Sequence, residues 1–422
     1  MRYEKIPKEL FIKNRECFSE NTLPFSISIF TSNSLMPTNA DGNMGFVQNN
    51  AFFYLTGIDQ EDSYLIVSKT DKEIKELLFV KETNETLRIW EGEKLTLEES
   101  TQISGIKTVK YSASFWDILE RLVSDFQIIY LHFDEQVGKN LYFKSKEKVL
   151  IEQLKDRYPL HTFKRACEII NKQREIKSAF EIELIKKAIN TTKKGFERAA
   201  KILKPGKMEF EIEAELGHEF MLNRSRNHAF QPIIASGKNA CVLHYISNND
   251  TCKNGDLILM DFGAEYGNYK ADMTRTLPIN GKFTERQKAV YSSVLNVLKK
   301  VKSKMIIGNS FDNLKKQTHE IIGEELVNLG LITAENLSPD IIQKYFPHGI
   351  SHFLGLDVHD VGSKSSIFEA GMILTCEPGI YILEEGIGIR LENDILITKN
   401  GNLDLMEEIP IEIEDIEILM KN

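Results

Sequence analysis

Two carboxylates on a short apolar hairpin are the residues whose types and spacing point most directly to chemistry. Asp261 lies near the end of one apolar run, and Asp272 opens the next one, after the turn pair Gly267-Asn268. If that pair is a two-residue loop, Asp261 faces Thr274 and Asp272 is one diagonal step away. If the turn is centred one position earlier, the two acids face each other. Both registers place the carboxylates on one face, where a cation would offset their repulsion, so the hairpin predicts a metal site.

A second hairpin repeats this arrangement with glutamates. Two strand-like runs, 374–383 and 386–397, flank the turn Glu384-Glu385, and Glu377 and Glu392 are equidistant from that turn. A glutamate among Ile, Leu and Val on a strand covered on both faces needs a partner. A solvated position would account for either glutamate alone, but it fits poorly when two hairpins carry the same pattern.

Three of the nine histidines crowd into the segment 347–360, at His348, His352 and His359. The glycines around them and the lack of helical periodicity predict a loop with a short strand. A lone histidine is more often structural, whereas three together favour a function. His348 and His352 alone resemble a weak zinc pattern, but the chain has no cysteine cluster to complete a structural zinc site.

Four carboxylates and one imidazole form an oxygen-rich donor set without a thiolate. Such a set suits two divalent ions, with Mn²⁺ or Co²⁺ favoured and Zn²⁺ as an alternative. Two ions about 3.5–4 Å apart can share a water, lower its pKa and stabilise a tetrahedral intermediate. The predicted chemistry is therefore metal-assisted hydrolysis. Nucleotide binding is disfavoured, because Gly386-x-Gly388 is too short for a dinucleotide fingerprint and Ser236-Gly237-Lys238 lacks a Walker spacing.

The elements that position these residues are predicted to form two domains, because 422 residues exceed one ordinary core. The basic, helix-rich segment 163–177 is the expected junction, which gives domains 1–170 and 171–422. The first alternates short apolar strands (24–30, 64–67, 77–80 and 128–132) with helices such as 115–126 and 146–154, an α/β pattern. Its aromatic segment Asn49–Gly57 is expected to pack in the core as a strand or loop, and a direct contact with a ligand is the less favoured alternative.

The second domain is predicted to be α+β with an antiparallel sheet, because long helices alternate with hairpins. Ser178 and Glu181 have capping-box spacing and open a helix that Lys204-Pro205-Gly206 ends. Further helices are predicted at 209–223, 285–304 and 311–329.

Composition narrows the class of protein. A hydrophobic content of 42% and a charged content of 27% are those of a soluble globular protein, and the net charge of −9 argues against a nucleic-acid binder. The five cysteines show no CxxC spacing, the amino terminus is too charged for a signal peptide, and no apolar run reaches transmembrane length. We therefore expect a cytoplasmic protein without a nucleic-acid or membrane partner.

These motifs resemble those of the Xaa-Pro aminopeptidases (aminopeptidase P) of the pita-bread metallopeptidase family, throughout the second domain and more weakly in the first. The resemblance implies a C-terminal pita-bread fold, a curved antiparallel sheet covered by helices, with an N-terminal α/β creatinase-like domain. Every position of the five-ligand signature is filled. By this resemblance Asp272 and Glu392 bridge both metals, Asp261 chelates one ion, and His352 with Glu377 binds the other.

The resemblance also implies roles for residues around the ligands. Glu377 would orient the bridging hydroxide and shuttle its proton, while His244 and His359 would stabilise the oxyanion and hydrogen-bond the substrate. The remaining matches are His348 and Arg390 on the proline side of the cleft, Tyr381 behind them, and Asp41 and Trp90, which in related enzymes reach the active site across a subunit interface. A homodimer or homotetramer is therefore expected. Phe230 departs from the pattern, because many relatives have a tyrosine there.

The preferred interpretation is an exopeptidase that releases the amino-terminal residue from peptides with proline second. A prolidase, which cleaves only Xaa-Pro dipeptides, shares the five ligands and differs in how far the cleft extends beyond proline. A catalytically silent pita-bread module that binds a protein partner, or a metal-free creatinase-like hydrolase, is disfavoured because no ligand is lost. A methionine aminopeptidase fits the large first domain and the His-Gly-Ile-Ser-His pattern less well.

Overall fold

The computed structural model describes residues 3–133, 135 and 144–421. They form two compact units that divide between Gln173 and Arg174. Within the described residues, no helix is long and apolar enough to cross a membrane.

The first unit is built on a six-stranded mixed sheet with the strand order β4-β3-β2-β1-β5-β6. Its strands are β1 (Ser26–Thr31), β2 (Tyr64–Lys69), β3 (Ile74–Val80), β4 (Val109–Tyr111), β5 (Ile128–Leu131) and β6 (Thr162–Arg165). Its helices are α1 (Lys8–Glu20), α2 (Asn50–Thr56), α3 (Glu85–Glu91), α4 (Leu97–Ser104), α5 (Phe115–Val123), α6 (Lys146–Arg157) and α7 (Cys167–Glu175), the last of which contains the boundary. Apolar residues of β1, β5, α5 and α6 share one core cluster. The predicted α/β class is confirmed.

The aromatic segment Asn49–Gly57 is a helix, so the prediction of a strand or loop was wrong, although its burial was predicted correctly. The Asn49 side chain accepts a hydrogen bond from Phe52 N and caps the amino end. Gly57 ends the helix in the left-handed conformation, with φ of 68°. The seven residues between these caps are too few to show helical periodicity, and the two capping residues were the available signal.

The second unit is α+β, as predicted, and its strands pair antiparallel in four small sheets. Its helices are α8 (Ala179–Ile202), α9 (Glu209–Leu222), α10 (Glu285–Lys302), α11 (Phe311–Asn328), α12 (Pro339–Tyr345) and α13 (Ile413–Leu419). Its strands are β7 (Ile233–Ser236), β8 (Leu257–Phe262), β9 (Glu265–Tyr266), β10 (Tyr269–Lys270), β11 (Met273–Pro278), β12 (Ile373–Cys376), β13 (Gly379–Ile382), β14 (Ile387–Arg390), β15 (Asn393–Thr398) and β16 (Gly401–Asp404). The predicted capping box of Ser178 and Glu181 opens α8.

The first acidic hairpin adopts the first of the two predicted registers. Asp261 on β8 pairs with Thr274 on β11, so Asp272 is a diagonal neighbour. Gly267 and Asn268 form the two-residue loop, with φ of 57° and 67°, as a hairpin turn with two left-handed residues requires. Strand β7 flanks the other edge of β8 and places Ile233 opposite Asp261.

The second acidic hairpin places its glutamates opposite each other, as their equal distance from the turn predicted. Cys376 pairs with Asn393 and Gly379 pairs with Arg390, and the same register continues through Glu377 and Glu392 between them. The two hairpins then meet, because the backbone N–H of Glu392 donates to the Thr274 carbonyl oxygen at 3.1 Å.

Gly263, two residues after Asp261, lies where the first hairpin is most crowded. A Cβ atom at this position would stand 1.8 Å from the Ala271 carbonyl oxygen. We expect Gly263→Ala to lower the free energy of unfolding by about 3 kcal/mol, because backbone rather than a flexible side chain must move. Urea unfolding followed by circular dichroism measures this change. Gly45→Ala, whose Cβ would meet nothing within 4 Å, is the control, and equal stabilities of the two variants would contradict the expectation.

Candidate metal centre

The two hairpins and the histidine segment bring their acids and one imidazole to a common point. Single ligand atoms of Asp272, His352 and Glu392 all lie within 4.8 Å of one another. His352 Nε2 is 3.4 Å from Asp272 Oδ2 and 3.5 Å from Glu377 Oε1. Both distances are longer than those of ordinary hydrogen bonds, so these groups face each other without bonding strongly to one another.

The His352 ring is oriented by backbone contacts. An isolated bridge joins Phe353 to Leu374 beside it, and the His352 carbonyl oxygen accepts from Thr375 N at 3.0 Å. Its ring Nδ1 lies 2.9 Å from the Phe353 carbonyl oxygen, which requires the proton on Nδ1. Nε2 therefore presents its lone pair to the carboxylates, and an imidazole held in this way is suited to bind a metal.

The buried carboxylates fit a cation. Burial raises the pKa values of Asp272 and Glu392 well above their usual range, and neighbouring acids raise them further. Burial also raises the pKa of Glu377. Among the described residues, Asp261 Oδ1 and Asp272 Oδ1 are buried without a hydrogen-bond partner. Unpaired buried oxygens among like charges are costly, and hard divalent ions would satisfy them.

Arg390 connects the acids to the residues behind them. Its Nη2 donates to Asp261 Oδ2 at 2.6 Å, its Nε to Thr274 Oγ1 at 3.1 Å, and its Nη1 to the Tyr381 hydroxyl at 2.9 Å. Thr274 Oγ1 in turn donates to Glu392 Oε2 at 2.8 Å. One guanidinium therefore fixes Asp261 directly and Glu392 through a threonine.

Three supporting residues, Thr274, Arg275 and Asp394, were not predicted as part of the site. Buried Arg275 donates to the carbonyl oxygens of Thr274 and Glu392, at 2.9 and 2.8 Å, and so ties the hairpins together. Asp394 Oδ2 accepts from the backbone N–H of Asp272 at 3.2 Å. Arg275 and Asp394 are charged residues within apolar strands, which is the signal that identified the glutamates and could have identified them too.

His348 and Tyr381 form a neutral pair beside Arg390. His348 Nδ1 donates to the Gly349 carbonyl oxygen at 2.8 Å, so its Nε2 accepts from the Tyr381 hydroxyl at 2.8 Å. Burial, with Arg390 nearby, lowers the pKa of His348 to about 3. Burial raises the pKa of Tyr381 to about 12. Both groups are therefore uncharged at neutral pH.

His359 lies against His352, with ring centroids 4.4 Å apart. Burial and the His352 ring lower the pKa of His359 to about 4. The next residue, Asp360, is held by two buried cations. Lys177 Nζ is 3.0 Å from its Oδ2, and Arg174 contacts its Oδ1. This buried network holds the end of the histidine segment in place.

A cavity of about 310 Å³ opens over the acids. Nine of the predicted site residues line it, namely Asp261, Asp272, His352, Glu377, Glu392, His244, His359, His348 and Arg390. Tyr381 lies behind His348 and Arg390 and hydrogen-bonds to both. Phe230 also lines the cavity, with five residues that the sequence did not single out, Gln231, Ile233, Leu243, Ile246 and Val358. Asp41 and Trp90 are exposed residues of the first unit. The cavity thus combines a charged floor with an apolar wall.

Comparisons with known proteins agree with this geometry. The model of metallopeptidase family M24 matches residues 183–399, and that of the aminopeptidase P N-terminal domain matches residues 11–130. A Haemophilus influenzae Xaa-Pro aminopeptidase is 33% identical, with 99% of this chain and 98% of that protein covered. Among solved structures, a candidate aminopeptidase P from Bacillus anthracis has a TM-score of 0.94 at 37% identity, covering 99% of each chain. Aminopeptidase P from Escherichia coli, with the inhibitor Pro-Leu, has a TM-score of 0.90 at 31% identity, also covering 99% of each. The chain therefore belongs to metallopeptidase family M24.

Proposed function

We propose that this chain is a metal-dependent Xaa-Pro aminopeptidase, which releases the amino-terminal residue from peptides with proline second. The observation that carries the proposal is the convergence of Asp261, Asp272, His352, Glu377 and Glu392 on the floor of one cavity. Relatives named Xaa-Pro aminopeptidases that cover nearly the whole chain support it.

These five residues would hold two divalent ions. Mn²⁺ fits the oxygen-rich donor set best, with Co²⁺ and Zn²⁺ as alternatives. When bound, the ions supply a water of lowered pKa and stabilise charge on the tetrahedral intermediate. Asp272 and Glu392 are assigned to both ions, Asp261 to one, and His352 with Glu377 to the other. The unpartnered oxygens of Asp261 and Asp272 among the described residues support these assignments.

Side chains of this protein are assigned to transfer the proton and to bind the substrate. Glu377, whose pKa burial raises, is assigned to accept the proton of the attacking water and to pass it to the leaving proline nitrogen. His359 is neutral at working pH because its pKa is about 4, so it can donate one ring N–H to the substrate carbonyl. His244 lines the same cavity and is assigned the same task. The His348, Tyr381 and Arg390 group is assigned to the proline side.

An aminopeptidase is favoured over a prolidase by the relatives. The Escherichia coli structure contains Pro-Leu, an inhibitor with a residue after proline. We infer that this chain likewise accepts peptides longer than Xaa-Pro.

Assembly and location are proposed on separate grounds. Ile89 and Trp90 of the first unit are 79% and 83% exposed, which supports a homodimer or homotetramer that covers them. A subunit-interface role for Trp90 and Asp41 stays a prediction. The five cysteines are free thiols, which supports a reducing compartment such as the cytoplasm.

Paired substrates test the proposed function. We expect the Mn²⁺-loaded protein to cleave an Xaa-Pro-Yaa tripeptide and release its first residue, because the chain is proposed to accept peptides longer than Xaa-Pro. Mass spectrometry of the products measures this, with Xaa-Ala-Yaa as the matched control that should remain intact. Cleavage of the dipeptide Xaa-Pro alone would instead show a prolidase. Metal uptake without cleavage of any peptide would favour a binding module.

A further inference from the structure

The segment Ser236–Asp250 carries His244, but its position is not set by contacts of the His244 ring. Within the part of the chain that the structure describes, that ring has no hydrogen-bond partner. This differs from His348 and His352, whose rings contact backbone carbonyl oxygens. The ring can therefore face the acids only if the backbone of its segment is held elsewhere.

The strongest anchor of this segment is the carboxylate of Glu209, the first residue of α9, which has no exposed surface. Its Oε1 accepts from the backbone N–H and the hydroxyl of Ser236, both at 2.7 Å. Its Oε2 accepts from the Tyr245 hydroxyl and from Asp250 N, both at 2.8 Å. One carboxylate thus contacts the beginning of the segment, its end and the residue next to His244.

A second carboxylate of α9 supports the same segment one turn further along the helix. Glu213 Oε2 accepts from Asn248 Nδ2 at 2.8 Å, and Asn248 Oδ1 accepts from Ile234 N at 2.9 Å. Residues four apart lie on one face of a helix, so both acids point to the segment.

Among the residues that the structure describes, the donors to Glu209 are all neutral, namely backbone N–H groups, two hydroxyls and, at 3.4 Å, the amide of Asn239. A buried carboxylate without a cation is expensive, and its donors are costly to lose. Helical N–H groups at the start of α9 further favour a negative charge there.

We propose that Glu209 is a positioning residue, which fixes the segment Ser236–Asp250 so that His244 faces the substrate carbonyl. The inference rests on the proposed function for its kinetic consequence, but the placement of the ring can be measured without substrate. Glu209 lies on α9, away from the metal ligands of the two hairpins and the histidine segment, so its loss should leave metal content unchanged.

A double-mutant cycle tests the proposal. We expect Glu209→Gln to lower kcat for an Xaa-Pro-Yaa peptide by about 10- to 100-fold, the loss that a misplacement of about 1 Å can cause. In a His244→Ala background the same substitution should cause less than about a threefold further loss. Equal losses in both backgrounds would overturn the proposal, because a general structural defect acts without His244.

The matched control is Glu215→Gln, which makes the same charge change on α9 at a residue paired with Arg198. It should keep wild-type kcat. Tyr245→Phe removes one hydrogen bond from Glu209 and should lower kcat in the same direction but by less, so it keeps the proposal testable if Glu209→Gln folds poorly.

Nuclear magnetic resonance of labelled histidines supplies the readout that is independent of activity. The His244 ring signals, assigned by their loss in His244→Ala, should shift or broaden in Glu209→Gln but not in Glu215→Gln. Unchanged signals in Glu209→Gln would overturn the proposal. A protein that cleaves no Xaa-Pro peptide, yet shows the shifted signals, would instead refute the proposed function and leave the positioning role intact.

Discussion

Asp272→Ala is expected to abolish peptide hydrolysis and to lower the metal content of the purified protein. Asp272 lies 3.4 Å from His352 Nε2 and shares a ligand cluster with Glu392, so it is the acid that both hairpins and the histidine segment surround. Loss of a single charge-stabilising donor commonly costs about 10²- to 10³-fold in kcat. Loss of Asp272, which is proposed to contact both ions, should cost more, because the attacking water would then no longer be activated.

The fold of this variant should remain, because the substitution removes a carboxylate whose burial is unfavourable without a cation. Metal analysis, activity with Xaa-Pro-Yaa and circular dichroism are measured on the same sample. Asp340→Asn is the control, since Asp340 is an exposed acid in the first turn of α12. Full activity in Asp272→Ala would refute the proposed bridging role.

Pairing within each hairpin could be predicted from the sequence because it is a local property. The side-chain period of two and the short turn limit the register to two choices for Asp261 and Asp272, and both give one face. For Glu377 and Glu392, equal distance from the turn was enough to place them opposite each other. The long helices of the second unit were predicted for the same reason, since caps and a period of 3.6 are local features of the sequence.

Contacts between the hairpins could not be predicted in this way. Arg390 and Asp261 are 129 positions apart, and their ion pair depends on how one hairpin lies over the other. The roles of Arg275, which joins the hairpins, and of Glu209, which holds a segment that carries no metal ligand, depend on the same three-dimensional placement. Their types were visible in the sequence, but their partners were not.

Metal removal is expected to reverse the pH dependence of stability at the acidic cluster. The pKa values of Asp272, Glu377 and Glu392 are raised above the ordinary 3.8 or 4.5, chiefly by burial. The unfolded chain loses these protons near the ordinary values, whereas the metal-free folded protein keeps them to higher pH. The folded state then binds more protons, so its stability falls as pH rises from about 4.5 through the raised pKa values.

Two histidines affect the pH dependence of stability in the opposite direction. The pKa values of His348 and His359 are lowered to about 3 and 4, so the unfolded chain binds more protons between these values and 6.5. Their contribution makes stability rise with pH and is complete above about pH 7. The histidine contribution cancels when wild type is compared with Asp272→Asn, because the variant keeps both histidines. The difference between the two proteins then reports the carboxylates alone.

Bound metal should reverse the effect of these acids on the pH dependence of stability, because carboxylate ligands must be deprotonated to bind a metal. We expect the contribution of these acids to make the thermal unfolding midpoint of the chelated protein fall as pH rises above about 4.5, and Mn²⁺ to raise the midpoint most at higher pH. Each unit of raised pKa corresponds to about 1.4 kcal/mol of unfolding free energy, so the trend is measurable. In chelated Asp272→Asn the unfolding midpoint should fall less steeply with pH, because the remaining buried acids are repelled by one carboxylate fewer. Equal slopes of the midpoint against pH in chelated wild type and chelated Asp272→Asn, measured from about pH 4.5 upward, would show that the carboxylates do not carry the proton linkage.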